Sequence, residues 1–160
     1  MKLIDSLFLS LLLPTLLLAG EWSGANAYRV TAPGVPDRGI VEAKARRESA
    51  LAVAVELARA RVVEELAWVM NEDGQDEPAQ VLAYRNAVFS VFRDAILAGR
   101  VVEVKYGEDE ACAIVYEITY PNLRARLAQV RQTLKPPKAE GEDSEPDETY
   151  RSLGGGRVKP

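Results

Sequence analysis

The hydrophobic pattern changes period along the chain, and each change predicts an element. Apolar residues dominate from Leu7 to Ala19, broken only by Ser10, Pro14 and Thr15, after the positive start Met1-Lys2. The run is about 13 residues, short of the roughly 20 that a membrane-spanning helix needs. With the small-x-small sequence Ala25-Asn26-Ala27 behind it, this pattern predicts a secretion signal over residues 1–27, cut before Tyr28. Tyr28 to Thr31 then predicts a short strand, ended by the turn-rich Pro33-Gly34-Val35-Pro36-Asp37.

A helical period follows from about Ile40 to Met70, without Gly or Pro and with eight Ala. Such a helix is about 46 Å long, whereas a domain of about 107 residues is roughly 34 Å across, so it must overhang or bend. Ala50 to Val55 is apolar on every side. A helix covered on one face does not need that pattern. It predicts either a helix sandwiched within the domain or one that meets another subunit. Gly74 and Pro78 break the pattern, and Pro78, Asp76 and Glu77 suit the start of a second helix over about Ala79 to Ala98. Its stripe is Val81, Tyr84, Val88, Val91, Phe92 and Ala95, and Gly99 is placed to cap its end.

The period then becomes two. Val102, Val104 and Tyr106 alternate with Val101, Glu103 and Lys105, and Cys112, Ile114, Tyr116, Ile118 and Tyr120 share one face of a second run. Gly107 to Glu110 joins the runs into a hairpin with one apolar face. After Pro121, Leu123, Leu127, Val130 and Leu134 return to helical spacing. The predicted order is strand, long helix, helix, β-hairpin, helix: an α+β fold with helices packed on one face of a small antiparallel sheet. One domain spans residues 28–134. Residues 135–160 hold four Pro and four Gly, and six of the nine residues from Glu140 to Glu148 are acidic. That composition predicts a disordered tail.

Composition narrows the chemistry. The chain carries a net charge of −4; a leader holding Lys2, Asp5 and Glu21 leaves −3 on the mature domain. That balance offers no basic footprint for nucleic acid. There is no His, which removes the commonest general base and metal ligand. The one Cys, Cys112, lies far from the end of the apolar run, so the leader has no lipid-bearing Cys. The chain is therefore expected in the periplasm, freed by signal cleavage, with no membrane span left and no lipid anchor.

Each candidate for chemistry has a plainer structural reading. Cys112 is in phase with Ile114 and Tyr116, as a buried thiol would be. Glu72, Asp73, Asp76 and Glu77, and separately Glu108, Asp109 and Glu110, lie in predicted loops and lack calcium-loop spacing. Gly154-Gly155-Gly156-Arg157 has no strand before it or helix after it, as a phosphate loop requires. Lys44, Arg46 and Arg47 alternate with Glu42 and Glu48, with Glu42 and Arg46 spaced to pair. Arg124, Arg126, Arg131, Lys135 and Lys138 form the best basic surface, suited to a polar outer helix face or to an anionic partner. Tyr84, Tyr106, Tyr116 and Tyr120 suit a core or a ligand wall. No catalytic, cofactor-binding or metal residues are predicted.

The sequence resembles the LPP20-like family of bacterial envelope proteins, which includes flagellar-assembly T N-terminal domains. The likeness rests on the exported start, Gly34, the Ala-rich helix with Ala43, Ala50, Ala54, Ala58 and Leu66, the helix ending in Ile96 and Gly99, and the hairpin with Val104, Tyr116 and Ile118. It covers about residues 28–120. It implies a small βααββ envelope domain that acts by contact, not catalysis, in surface or periplasmic assemblies. Many members carry a lipid on a Cys that this chain lacks. The expected function is thus a non-catalytic interaction or structural domain of a cell-envelope assembly, flagellar or outer-membrane. Its partner would be another envelope protein or a second copy meeting the long Ala-rich helix. The alternative is a small-ligand carrier that binds between the sheet face and the helices.

Overall fold

The computed structural model describes residues 20–71 and 74–135; the leader through residue 19, Glu72, Asp73 and the tail from residue 136 lie outside the described residues. The chain order is β1 (Glu21–Trp22), β2 (Ala27–Gly34), α1 (Ala43–Met70), α2 (Pro78–Leu97), β3 (Arg100–Tyr106), β4 (Cys112–Thr119) and α3 (Leu123–Leu134). A single 3-10 turn, Glu108–Glu110, links β3 to β4. The fold is α+β, as the pattern predicts, with the strands in the order β1-β2-β4-β3 and every neighbouring pair antiparallel.

Alternation decides which side of the sheet is covered. Tyr28, Val30 and Ala32 of β2, and Cys112, Ile114, Tyr116 and Ile118 of β4, are buried on one face. α1 lies on that face through Ala50, Ala54, Ala58 and Val62, all fully buried. Small residues matter here because strand and helix backbones come very close. A Cβ on Gly34 would stand 2.0 Å from the Ala50 carbonyl oxygen. The Pro33-Gly34 pair expected to form a turn therefore belongs to the strand, opposite Ala113 and Cys112. Proline is tolerated there because β1 pairs only with Tyr28 and Arg29, leaving that side of β2 without a strand among the described residues.

α2 packs beside α1 through Tyr84, Val88, Phe92 and Ile96. Pro78 is its first residue, as predicted. Gly99 does not cap it in the left-handed conformation: the cap is Ala98 with φ −86°. Gly99 meets a different demand, since a Cβ there would lie 2.6 Å from the Tyr116 ring. β3 departs from strict alternation through a bulge between Val101 and Glu103. Val101, Val104 and Tyr106 oppose the inward residues Tyr116, Ile114 and Cys112, so the bulge takes Val102 out of the face expected for it. α3 closes the helical layer with Leu123, Leu127 and Val130 buried.

Candidate functional site

The face of the sheet opposite the helices is polar and open. A shallow hollow of about 390 Å³ on it is lined by Glu21, Arg29, Thr31, Glu103, Lys105, Ala113 and Val115, among others. Next to it stands an ionic triad. Glu117 of the central strand β4 is 4% exposed, with Arg29 of β2 on one carboxylate oxygen at 2.7 Å and Arg100 of β3 on the other at 2.7 Å. Hydrogen bonds from Arg100 first and Arg29 second hold its carboxyl below the usual carboxylate range, against the opposing effect of burial. The triad ties three strands together. Both carboxylate oxygens are occupied, so it is built as a clasp and not as a proton donor or acceptor.

The two sides of the sheet end differently. Beyond β1, the exposed side of β2 is partly blocked: Arg61 of α1 donates to the Thr31 carbonyl at 2.9 Å. β3, seven residues long, has no strand on its outer side among the described residues. The helices cover it only in part, through Val101 and a contact from Arg47 of α1 to the Tyr106 ring. Val104 is 36% and Tyr106 43% exposed, although both face the helical side. The flanking Arg100, Glu103 and Lys105 are exposed as well. The result is an open strand edge with apolar side chains along one flank and charges along the other.

The turn beyond that edge is held to the start of α1. The Arg46 guanidinium donates to the Asp109 carbonyl at 3.1 Å, reaching the turn instead of the expected Glu42. Arg47 pairs with Glu110 and lies 5.3 Å from the centre of the Tyr106 ring. Asp109 and Glu110 both have left-handed φ, 60° and 63°, a conformation that costs non-glycine residues energy. The Glu108–Glu110 cluster, placed by the sequence in a loop, is thus partly engaged by two arginines.

The remaining candidates fall apart as sites. Cys112 is buried, and burial pushes its thiol up, away from the reactive thiolate form. Tyr116 donates its hydroxyl to the Ile96 carbonyl at 2.7 Å, and Tyr84 donates to Asp76 at 3.1 Å, so these inward tyrosines have partners within the protein. Burial, then the Asp76 bond, raises Tyr84 above its ordinary value. Tyr120 packs edge-on to Phe92 at 5.0 Å. Arg124 stacks over Trp22 and Arg126 bonds Gln129, so these two basic residues of α3 serve separate local contacts. Glu72, Asp73, Lys138 and the Gly154–Arg157 stretch lie outside the described residues.

Sequence reasoning missed the Glu117 triad. Its signal was one charged residue within the apolar strand Cys112-Ala113-Ile114-Val115-Tyr116-Glu117-Ile118, with its Arg partners 88 and 17 residues away. No helix among the described residues is long and apolar enough to cross a membrane. Comparison with family models, with curated proteins and with solved structures finds no match.

Proposed function

We propose that the chain is an exported, non-catalytic interaction domain of the bacterial cell envelope, of the LPP20-like kind, and that it docks an envelope protein by strand addition at β3. The observation that carries this reading is the open β3 edge among the described residues, with Val104 and Tyr106 left partly exposed beside it. An extended partner segment would gain main-chain hydrogen bonds along β3 and bury those two side chains. The bulge and the charges of Arg100, Glu103 and Lys105 guard against indiscriminate pairing. A partner must therefore match the charge order as well as the backbone. Export is supported by the leader pattern, and a periplasmic location follows from it without a lipid anchor.

The test is affinity capture from envelope fractions with the exported chain and with a Val104→Lys/Tyr106→Lys variant whose fold is checked by circular dichroism. A partner retained by the unaltered chain and lost by the variant is the expected outcome. The same partner retained by both sinks the edge reading. Recovery of the chain only in the cytoplasm sinks the export reading.

A further inference from the structure

The hairpin ladder fixes which main-chain groups β3 leaves free. At its closed end, the Gly107 N–H donates to the Ala111 carbonyl at 2.8 Å. Opposed residues of an antiparallel pair alternate between hydrogen-bonded and non-hydrogen-bonded positions. Two steps further, Lys105–Ala113 and Glu103–Val115 are therefore hydrogen-bonded pairs, and Glu103 and Lys105 turn their N–H and C=O groups toward β4. Pro33, which has no N–H, stands opposite Ala113 on the other side of β4, as the same alternation requires. The main-chain groups of Val104 and Tyr106 point away from β4, to the side without a strand among the described residues. The side chains alternate too. Val104 and Tyr106 lie on the helical side, partly exposed, and Glu103 and Lys105 lie on the open face, 2.9 Å apart as an ion pair.

An incoming antiparallel strand must turn free main-chain groups toward Val104, apolar side chains toward the helical side, and charges of the right sign toward Glu103 and Lys105. A second β3 meets all three demands, because Glu103-Val104-Lys105 is complementary to itself when reversed. With Val104 opposite Val104 of the second copy, both residues present outward N–H and C=O groups and form a hydrogen-bonded pair. Glu103 then stands opposite Lys105 of the second copy, and Lys105 opposite its Glu103, on the same open face. Sliding one strand by two residues sets Glu103 opposite Glu103 in one direction and Lys105 opposite Lys105 in the other, and like charges directly opposite repel. Sliding it by one residue sets an outward-facing main chain against one committed to β4, and the ladder is lost.

We propose that β3 pairs antiparallel with β3 of a second copy of this chain, about a two-fold axis at Val104, and joins the two sheets into one. The inference rests on the strand-addition reading and names an occupant for that edge. It places self-association on the sheet and not on the Ala-rich helix. α1 packs on β2 and β4, and the helices cover β3 only in part, so Val104 of each copy meets its twin beside the helical layers. A seam one strand long is small beside the roughly 1,200 Å² that a stable interface buries. The dimer is accordingly weak and dissociates on dilution, and an envelope segment that binds β3 competes with it. The charges that reject a strand in the wrong register are the ones that admit this one.

Sedimentation equilibrium of the exported chain, from micromolar to millimolar concentration, should show the mass rising from one copy to two. A single-copy mass throughout overturns the inference. Glu103→Lys alone and Lys105→Glu alone each set like charges across the seam, and each should weaken the dimer by about tenfold or more. Both side chains are exposed, so the fold is kept, which circular dichroism checks. An equal mixture of the two variants should dimerise again, because every Lys then faces a Glu across the seam although neither strand keeps its own Glu–Lys pair. Variants that dimerise as the unaltered chain does, or a mixture that stays single-copy, overturn the register. An envelope partner captured through Val104 and Tyr106 by a chain that never dimerises overturns the inference and leaves strand addition standing. A dimer in the predicted register with no envelope partner captured supports the inference and removes the foreign partner.

Discussion

Glu117 shows how one residue fastens the open face of the sheet. Its two oxygens hold strands on either side, and hydrogen bonds from Arg100 and Arg29 lower its pKa. A group lowered in the folded state adds stability above its unfolded value, and that stability is lost as pH falls through the folded value. Arg100 is 74% exposed, so water screens much of the attraction. Glu117→Gln should cost about 1 kcal/mol at pH 7 in urea unfolding, and the gap between the two proteins should close as pH falls below the usual carboxylate range. A gap that stays constant with pH would show that the charge is not what the arginines read. Gly34 is a different kind of constraint. With no room for a Cβ against Ala50, Gly34→Ala must push β2 from α1, costing about 3 kcal/mol. The urea midpoint measures that loss, and an unchanged midpoint would mean that the close approach is not required.

At the scale of elements, periodicity located most of the fold because burial imposes it. α1 and α2 bury stripes at helical spacing, and β4 buries every second residue on its inner face, with Glu117 also buried on the outer face. The failures have local causes. β1 is two residues long and pairs with two, too short to carry a period. The β3 bulge shifts the phase at Val102, which a period of two cannot express. Pro33-Gly34 carries turn composition, but the close approach to Ala50 and the free flank of β2 let it extend the strand. The open β3 edge was legible as the flank of a hairpin. The Glu117 triad was not, because its members meet only after the sheet assembles. The apolar stretch Ala50 to Val55 also resolves by element. Ala50 and Ala54 are buried against β2, while Val53 is exposed in line with Leu57. The alanine face is thus used within the domain, which leaves Val53 and Leu57 as the exposed apolar pair of this part of α1. Val53→Lys/Leu57→Lys should change stability by no more than about 0.5 kcal/mol and leave the sedimentation coefficient unaltered. A shift to a lighter species would place self-association on α1.

Over the whole molecule, protection from solvent should fall from the centre of the sheet to the β3 edge, and that gradient has functional meaning. β4 has a strand on either side and α1 across its inner face, with Ile114, Tyr116 and Ile118 almost fully buried. Its amides can exchange with solvent only when the domain opens globally. Among the described residues, β3 is held in the sheet by β4 alone, and its side chains are mostly exposed. Amides on its outer side have no partner strand among the described residues, so they should exchange within seconds while those of β4 persist for hours. Hydrogen exchange read by NMR separates these classes residue by residue. If strand addition is the mode of contact, a bound partner must slow the outward amides of β3 selectively. Those of β4 would change little, because they are protected already. Binding through the outer face of α1 would leave β3 exchange fast and alter only side-chain signals near Val53 and Leu57. The pattern of protection therefore distinguishes an edge that is used from one that is merely guarded by its bulge and charges.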